Sequence, residues 1–97
     1  MILDDYLVDV LMRDLVGHDR RPVAFLVYVW LAAEQQRRRP APVQISYQDL
    51  AESIGVSKSS VQASVGWLVR RKLLTASKQN ATATPRYSVL TPWKRGK

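Results

Sequence analysis

Cysteine is absent from this sequence of 97 residues, and histidine occurs once, at His18. Without cysteine the chain cannot form a disulfide scaffold, a thiol nucleophile or a cysteine-ligated zinc or iron–sulfur site. It also has no glycine-rich phosphate loop and no Gly-x-Ser-x-Gly turn. His18 falls in a predicted interhelical loop with no partner motif for metal or nucleophilic chemistry. The sequence therefore predicts a protein that is not an enzyme and that uses no metal and no cofactor.

Long hydrophobic runs are also missing. The longest uncharged run, from Pro22 to Ala33, is far shorter than the roughly 20 residues that cross a membrane. The first 15 residues carry acids where a signal peptide needs positive charge. We expect one domain of a bacterial, cytoplasmic and nucleoid-associated protein, with no membrane partner and no evident small-molecule effector.

Acidic residues are missing from the C-terminal part of the chain. Residues 57–97 contain nine Lys or Arg side chains and no Asp or Glu, a net charge of +9. Residues 1–56 contain six Arg against eight acids, a net charge of −2. Such asymmetry is expected where a polyanion docks, although a basic tail can also serve solubility alone. Nucleic acid is therefore the first candidate partner.

The N-terminal segment has the apolar spacing of a helix over about residues 3–16. One stripe consists of Leu3, Tyr6, Leu7, Val10 and Leu11, and a wider apolar face adds Val8, Met12 and Leu15. An apolar face of this width can pack against the domain and also against a second copy of the chain, so a homodimer through the N-terminal helix is possible. Gly17 is predicted to end the helix, and Asp19 and Pro22 to begin the next one.

The next segments predict a buried central helix over about 22–38, a short strand over 43–46 and two short helices. We interpret Arg37 to Arg39 as basic residues that stabilise the C-terminal end of the central helix, ahead of the alternative of a nucleic-acid patch or localisation signal. Ser46 caps the helix YQDLAESI, which ends at Gly55, and Ser57 caps the helix KSSVQASVGWLVRRKLL. The pieces LTAS and PRYSVL then predict a β-hairpin around a polar loop.

This order of elements is that of a winged helix-turn-helix domain, and the local residues fit it. Ala51 allows two helices to cross closely, Gly55 allows a sharp turn, and Val61, Val65 and Leu68 form the inward stripe of the second helix. The stretch ISYQDLAESIGVSKSSVQASVGWLVRRKLL resembles bacterial winged helix-turn-helix regulators, particularly those of gluconate-repressor type, and the related domains of plasmid replication proteins. The resemblance covers about residues 44–90.

The resemblance implies that the helix beginning at Lys58 is the recognition helix and that the hairpin is the wing. Lysine and glutamine suit contacts to guanine and adenine edges, and serine suits bases or phosphates. The predicted DNA-binding residues are Tyr47, Gln48, Ser57, Lys58, Ser59, Ser60, Gln62, Lys78, Asn80 and Arg86. Ser64 and Gly66 depart from the family pattern, because good helix formers usually occupy these positions in the recognition helix.

We therefore predict a mainly α fold with a small β-hairpin wing, in the order helix, helix, strand, helix, helix, strand, strand. Residues 1–18 form an N-terminal helix, 19–91 the winged helix-turn-helix domain, and 92–97 a basic tail. The predicted function is sequence-specific binding of double-stranded DNA by a transcriptional regulator. A plasmid or phage replication-initiation or maintenance module is an alternative, and a winged helix that binds protein instead of DNA is another.

Overall fold

The computed structural model describes residues 5–38, 43–78 and 84–90. It is mainly helical with a small antiparallel sheet of three strands, which confirms the coarse fold prediction. An N-terminal helical segment of two π-helical stretches is followed by three α-helices. The elements are Leu7–Leu11 and Arg13–His18 (the N-terminal segment), α1 Pro22–Arg38, β1 Val43–Gln44, α2 Tyr47–Ile54, α3 Lys58–Arg70, β2 Leu74–Ser77 and β3 Arg86–Val89.

The described part of the N-terminal segment is helical as predicted, but most of it is a π-helix, whose hydrogen bonds span five residues instead of the four of an α-helix. Leu11 and Leu15, four residues apart, are buried in the common core, whereas Val10 is exposed. The prediction that Gly17 ends the helix is wrong, because the segment continues through His18. The chain reverses at Arg20, whose φ is 56°.

The central helix α1 has the predicted limits, Pro22–Arg38. Its side chains Ala24, Val27, Tyr28 and Leu31 are fully buried, as expected of an uncharged run that packs on several faces. The predicted capping role of Asp19 is wrong. Its carboxylate instead accepts a hydrogen bond from the Trp67 indole on α3 and lies beside the Arg71 guanidinium after α3, because the turn at residues 19–21 directs it there.

The turn between α2 and α3 forms as predicted. The Ser46 hydroxyl accepts a hydrogen bond from the Asp49 amide at 3.0 Å, and the Ser57 hydroxyl accepts one from the Ser60 amide at 3.1 Å. Gly55 has a φ of 93°, a left-handed conformation that glycine adopts without strain. Ala51 is buried where α2 and α3 pack together.

The end of α3 differs from the predicted run to Leu74. The helix ends at Arg70, and Arg71 and Lys72 lie in the turn that leads to β2. Lys72 has a φ of 61°, and the amide of Leu73 donates to the carbonyl of Leu68 at 3.0 Å. Arg71 and Lys72 therefore do not occupy the last helical turn.

The sheet has the strand order β1-β3-β2, with β3 antiparallel to both neighbours. Tyr87, at the centre of β3, pairs with Val43 on one side and Ala76 on the other. Two hydrogen bonds attach β3 and the residue after it to α1: the Tyr28 hydroxyl donates to the Leu90 carbonyl at 2.6 Å, and the Val89 amide donates to Gln35 Oε1 at 2.8 Å. The hairpin is thus fixed relative to the helices.

None of the helices within the described ranges is long and apolar enough to cross a membrane. The predicted tail at 92–97 and the tip of the polar loop at 79–83 lie outside the described residues. The predicted division of the chain at residue 18 stays a prediction, and the N-terminal segment contributes Leu11 and Leu15 to the same core as α1 and α3.

Candidate nucleic-acid interface

The outward side of α3 is polar at its N-terminal end. Lys58, Ser59 and Gln62 are exposed, while Val61, Val65 and Leu68 on the opposite side are buried. Lys58 and Gln62 are four residues apart and therefore adjacent on the helix surface. The first turn of α3 contains no acid, so its positive dipole end and the Lys58 ammonium have the same sign. This end of α3 is suited to an anionic partner.

Two of the predicted serines serve the start of α3. The Ser57 hydroxyl accepts from the Ser60 amide, and the two hydroxyls of Ser57 and Ser60 lie 2.8 Å apart. The Ser59 hydroxyl is 3.3 Å from that of Ser57. The Ser57 hydroxyl therefore caps α3, as predicted. Ser59 and Ser60 keep further hydrogen-bonding capacity because each hydroxyl can also accept.

The two predicted contacts on α2 are less well placed. Tyr47 is half-buried and packs against the core. Burial, reinforced by the neighbouring Tyr47, raises the pKa of the Tyr87 phenol. Gln48 is exposed, but its amide donates to a carboxylate oxygen of Glu52 at 2.9 Å. An acid beside Gln48 disfavours phosphate, so α2 offers a weaker phosphate contact than α3.

The hairpin presents two of its three predicted contacts in the described part of the chain. Lys78, directly after β2, and Arg86, the first residue of β3, are both exposed. Arg86 lies opposite Ser77 in the hairpin ladder. Both basic groups are thus at the loop end of the hairpin. The third predicted contact, Asn80, lies outside the described residues.

Trp67 joins α3 to the N-terminal part of the chain. Its indole Nε1 donates to Asp19 Oδ2 at 3.0 Å. The guanidinium carbons of Arg21 and Arg70 lie 4.4 and 5.6 Å from its ring centroid, within the range of cation–π attraction. The indole therefore holds two cations on one side of α3, which the sequence pattern did not reveal.

Arg71 and two acids form the second connection between α3 and the N-terminal segment. Arg71 Nη2 donates to Asp14 Oδ2 at 2.6 Å, and its Nε lies 3.3 Å from Asp19 Oδ2. The Asp19 side chain is only 5% exposed. Burial raises the pKa of Asp19, but hydrogen bonds from His18 and Trp67 and the charge of Arg71 outweigh it, so the net pKa is lowered.

Asp14, His18 and Asp19 each offer a ligand atom, and these atoms lie within 4.8 Å of one another. Arg71 already neutralises both carboxylates. A metal ion would have to compete with this guanidinium for the same oxygens. We therefore read the cluster as an ion-pair network that attaches the N-terminal segment.

We expect acid to weaken the fold through Asp19. Because the folded-state pKa lies below the ordinary value of 3.8, its stabilising contribution is complete above that value and is lost as the pH falls through the folded-state pKa. Asp19→Asn should lower the free energy of unfolding at neutral pH, and the difference from the unmodified protein should shrink at a pH below 3.8. Urea denaturation at both pH values measures this. Asp9→Asn, at an exposed position, is the matched control; an Asp19→Asn deficit that is unchanged at low pH would contradict the assignment.

The two unusual residues of α3 have different surroundings. Ser64 is 4% exposed and faces inward. Gly66 lies on the outward side, and a Cβ added to it would meet no atom within 4 Å among those described. Packing within the described chain therefore does not require glycine at this position, and the open space leaves room for a partner to approach α3 closely.

Gly66→Ala is expected to stabilise the isolated protein by about 1 kcal/mol, because alanine restricts the unfolded chain and has open space in the folded one. Chemical denaturation without DNA measures the change. The reverse substitution Ala63→Gly, at an exposed position on the same helix, should destabilise by a similar amount. A loss of stability in Gly66→Ala would show that the extra methyl group meets an obstacle.

In comparisons with protein-family models, curated proteins and solved structures, no match to this chain was found.

Proposed function

We propose that the protein is a winged helix-turn-helix protein that binds double-stranded DNA sequence-specifically, as a transcriptional regulator. One observation carries the proposal: a capped α3 presents exposed Lys58, Ser59 and Gln62, in a stretch of 41 residues with nine basic and no acidic side chains. The strand order β1-β3-β2 and the hairpin after α3 support it. The proposal includes no catalytic step.

In this proposal the N-terminal end of α3 enters the major groove. The groove admits one helix, and its base edges offer acceptors to Lys58 and paired donor and acceptor atoms to Gln62. The exposed Ser59 hydroxyl can donate to a base or a phosphate. Gly66 leaves the outward side of α3 without a side chain one to two turns later, so a duplex can approach closely there.

The hairpin supplies the second set of contacts. Lys78 and Arg86 lie at its loop end, where they can bind phosphates of an adjacent groove. Such contacts add affinity that depends on salt but not on base sequence. α3 then determines sequence preference, and the hairpin adds general affinity.

Arg86→Gln is expected to weaken binding to all duplexes alike and to lower the slope of log affinity against log salt by about 1. Titration of labelled duplex at several salt concentrations measures this slope. The matched control is Arg13→Gln, at an exposed position on the N-terminal segment. If Arg86→Gln and Arg13→Gln give the same slope, Arg86 does not contact phosphate.

Electrophoretic mobility shift with random duplex, followed by selection of bound sequences, tests the function itself. We expect binding at low salt and enrichment of a defined site. If the protein does not bind duplex DNA at low salt, the alternative of a winged helix that binds protein is favoured. The excess of basic over acidic residues in positions 57–97 argues against that alternative, because the recognition side of a protein-binding winged helix is often acidic or apolar. A replication-initiation or maintenance module would bind the same way, so the genomic position of the selected site distinguishes it from a regulator.

Homodimerisation through the N-terminal helix stays a prediction. Val10, Met12 and Val16 of this segment are exposed, at 37 to 39%. A dimer would select a palindromic site, because two-fold protein symmetry matches two half-sites. Sedimentation equilibrium at micromolar concentration tests the assembly independently of DNA.

A further inference from the structure

An open cavity of about 210 Å³ lies between the start of α1 and the first two turns of α3. It is much larger than the roughly 30 Å³ that one water occupies. Its lining includes Arg20, Arg21, Val23, Ser60, Ala63 and Ser64. None of the residues on the α1 side was predicted to bind DNA. Three independent features of the lining point to an anion.

The first feature is the start of α1, a helix of 17 residues with no acid in its first turn. The amide of Ala24 donates to the carbonyl of Arg21 at 3.0 Å. The amide of Val23 has no acceptor among the described residues, and Pro22 before it has no N–H to offer. A free amide at the positive end of a helix dipole is a donor for phosphate.

The second feature is Ser64. Its side chain is 96% buried, since only 4% is exposed, and it lines the cavity. Its hydroxyl makes no hydrogen bond with any described residue, not even with the carbonyl one turn earlier that serines in helices often use. Among the described residues the enclosed side-chain oxygen without a partner is Tyr87 Oη, so the Ser64 hydroxyl opens into the cavity, where it can donate a hydrogen bond to a ligand.

The third feature is uncompensated positive charge. Neither Arg20 nor Arg21 forms an ion pair within the described part of the chain. The adjacent carboxylate of Asp19 is already bonded to Arg71 and Trp67. Arg21 lines the cavity, and its guanidinium carbon lies 4.4 Å from the centroid of the Trp67 ring. Guanidinium groups bind phosphate oxygens in pairs of parallel hydrogen bonds.

We propose that this cavity binds a phosphate group through Arg20, Arg21, the Val23 amide and the Ser64 hydroxyl. In the complex with DNA the group is a backbone phosphate of the duplex that α3 reads, and this step rests on the proposed function. Ala63 connects the two surfaces, because it lines the cavity and is also exposed on α3. The α1 end then clamps the duplex on the side of α3 away from the N-terminal Lys58 contact.

The first arm of the test uses inorganic phosphate alone and observes backbone amide resonances of the full chain by NMR. We expect saturable shifts at Val23 and Ser64 that sodium chloride of equal ionic strength does not produce. Arg20→Gln should weaken phosphate binding about tenfold, as the loss of a charge-assisted hydrogen bond implies. Ser64→Ala should also weaken it, and Arg13→Gln should leave it unchanged. If phosphate causes no shifts at these residues, or if sodium chloride of equal ionic strength causes the same shifts, the proposed phosphate site is wrong.

The second arm uses duplex DNA and the same variants. Arg20→Gln should lower the salt slope of binding by about 1 more than the charge-matched Arg13→Gln does. If phosphate binds but the two variants bind duplex alike, the cavity takes a free phosphate and the duplex assignment is overturned. If the unmodified protein binds no duplex, the proposed function fails while the phosphate arm still decides the site. If duplex binds but the phosphate arm is negative, the site fails and the proposed function stands.

Discussion

Replacing Lys58 and Gln62 together by alanine is expected to remove most of the preference for a selected DNA sequence while leaving general duplex binding in place. Each side chain can make one specific base contact, and a good contact is worth about 1 to 3 kcal/mol of discrimination. The double substitution should therefore reduce the ratio of specific to non-specific affinity by about 2 to 6 kcal/mol, which is roughly 30-fold or more. Competition binding with selected and scrambled duplexes measures this ratio.

The matched control is Lys72→Ala with Gln36→Ala, which removes the same charge and the same amide at exposed positions outside α3. This pair should keep the sequence preference and lose only general affinity. An equal loss of preference in both double variants would show that the face of α3 carries no special role. Lys58 and Gln62 are exposed and support no core contact, so we expect the helices of each variant to be intact. Circular dichroism of each variant checks this.

Leu68→Ala is expected to cost about 2 to 5 kcal/mol of stability, because it removes a fully buried side chain and leaves a cavity. A domain of this size has a total stability of about 5 to 15 kcal/mol, so this one change removes a large part of it. Leu68 belongs to the inward stripe that holds α3 in the common core. Urea denaturation gives the loss directly.

Val69→Ala, at the next position, provides the control. Val69 is 41% exposed, so its truncation should change the free energy of unfolding by about 0.5 kcal/mol or less. If the two substitutions cost the same, α3 would be rotated relative to the core, and Lys58 and Gln62 would not share an outward side.

Local signals in the sequence were sufficient for the turn between α2 and α3. Ser46 and Ser57 cap the two helices through their own hydroxyls, and Gly55 adopts the left-handed conformation that its position requires. These contacts form between residues three or four apart, so sequence spacing determines them. The inward positions Val61, Val65 and Leu68 follow from the same periodicity.

Contacts between distant parts of the chain were not predictable in this way. The bonds from Trp67 and Arg71 to Asp19 join residues 48 and 52 positions apart, and only the tertiary fold brings Asp19 to the C-terminal end of α3. They explain why Asp19 does not cap α1. The cavity beside Arg20 and Ser64 has the same origin, since its two walls come from α1 and α3.

The most direct test of the account is NMR mapping of the full chain with a duplex chosen by binding-site selection. We expect the largest amide shifts at the start and outward side of α3, at Lys58, Ser59, Gln62 and Gly66, with smaller shifts at Arg86. Shifts confined to the N-terminal segment, with α3 unaffected at saturation, would contradict the central claim that α3 reads the DNA.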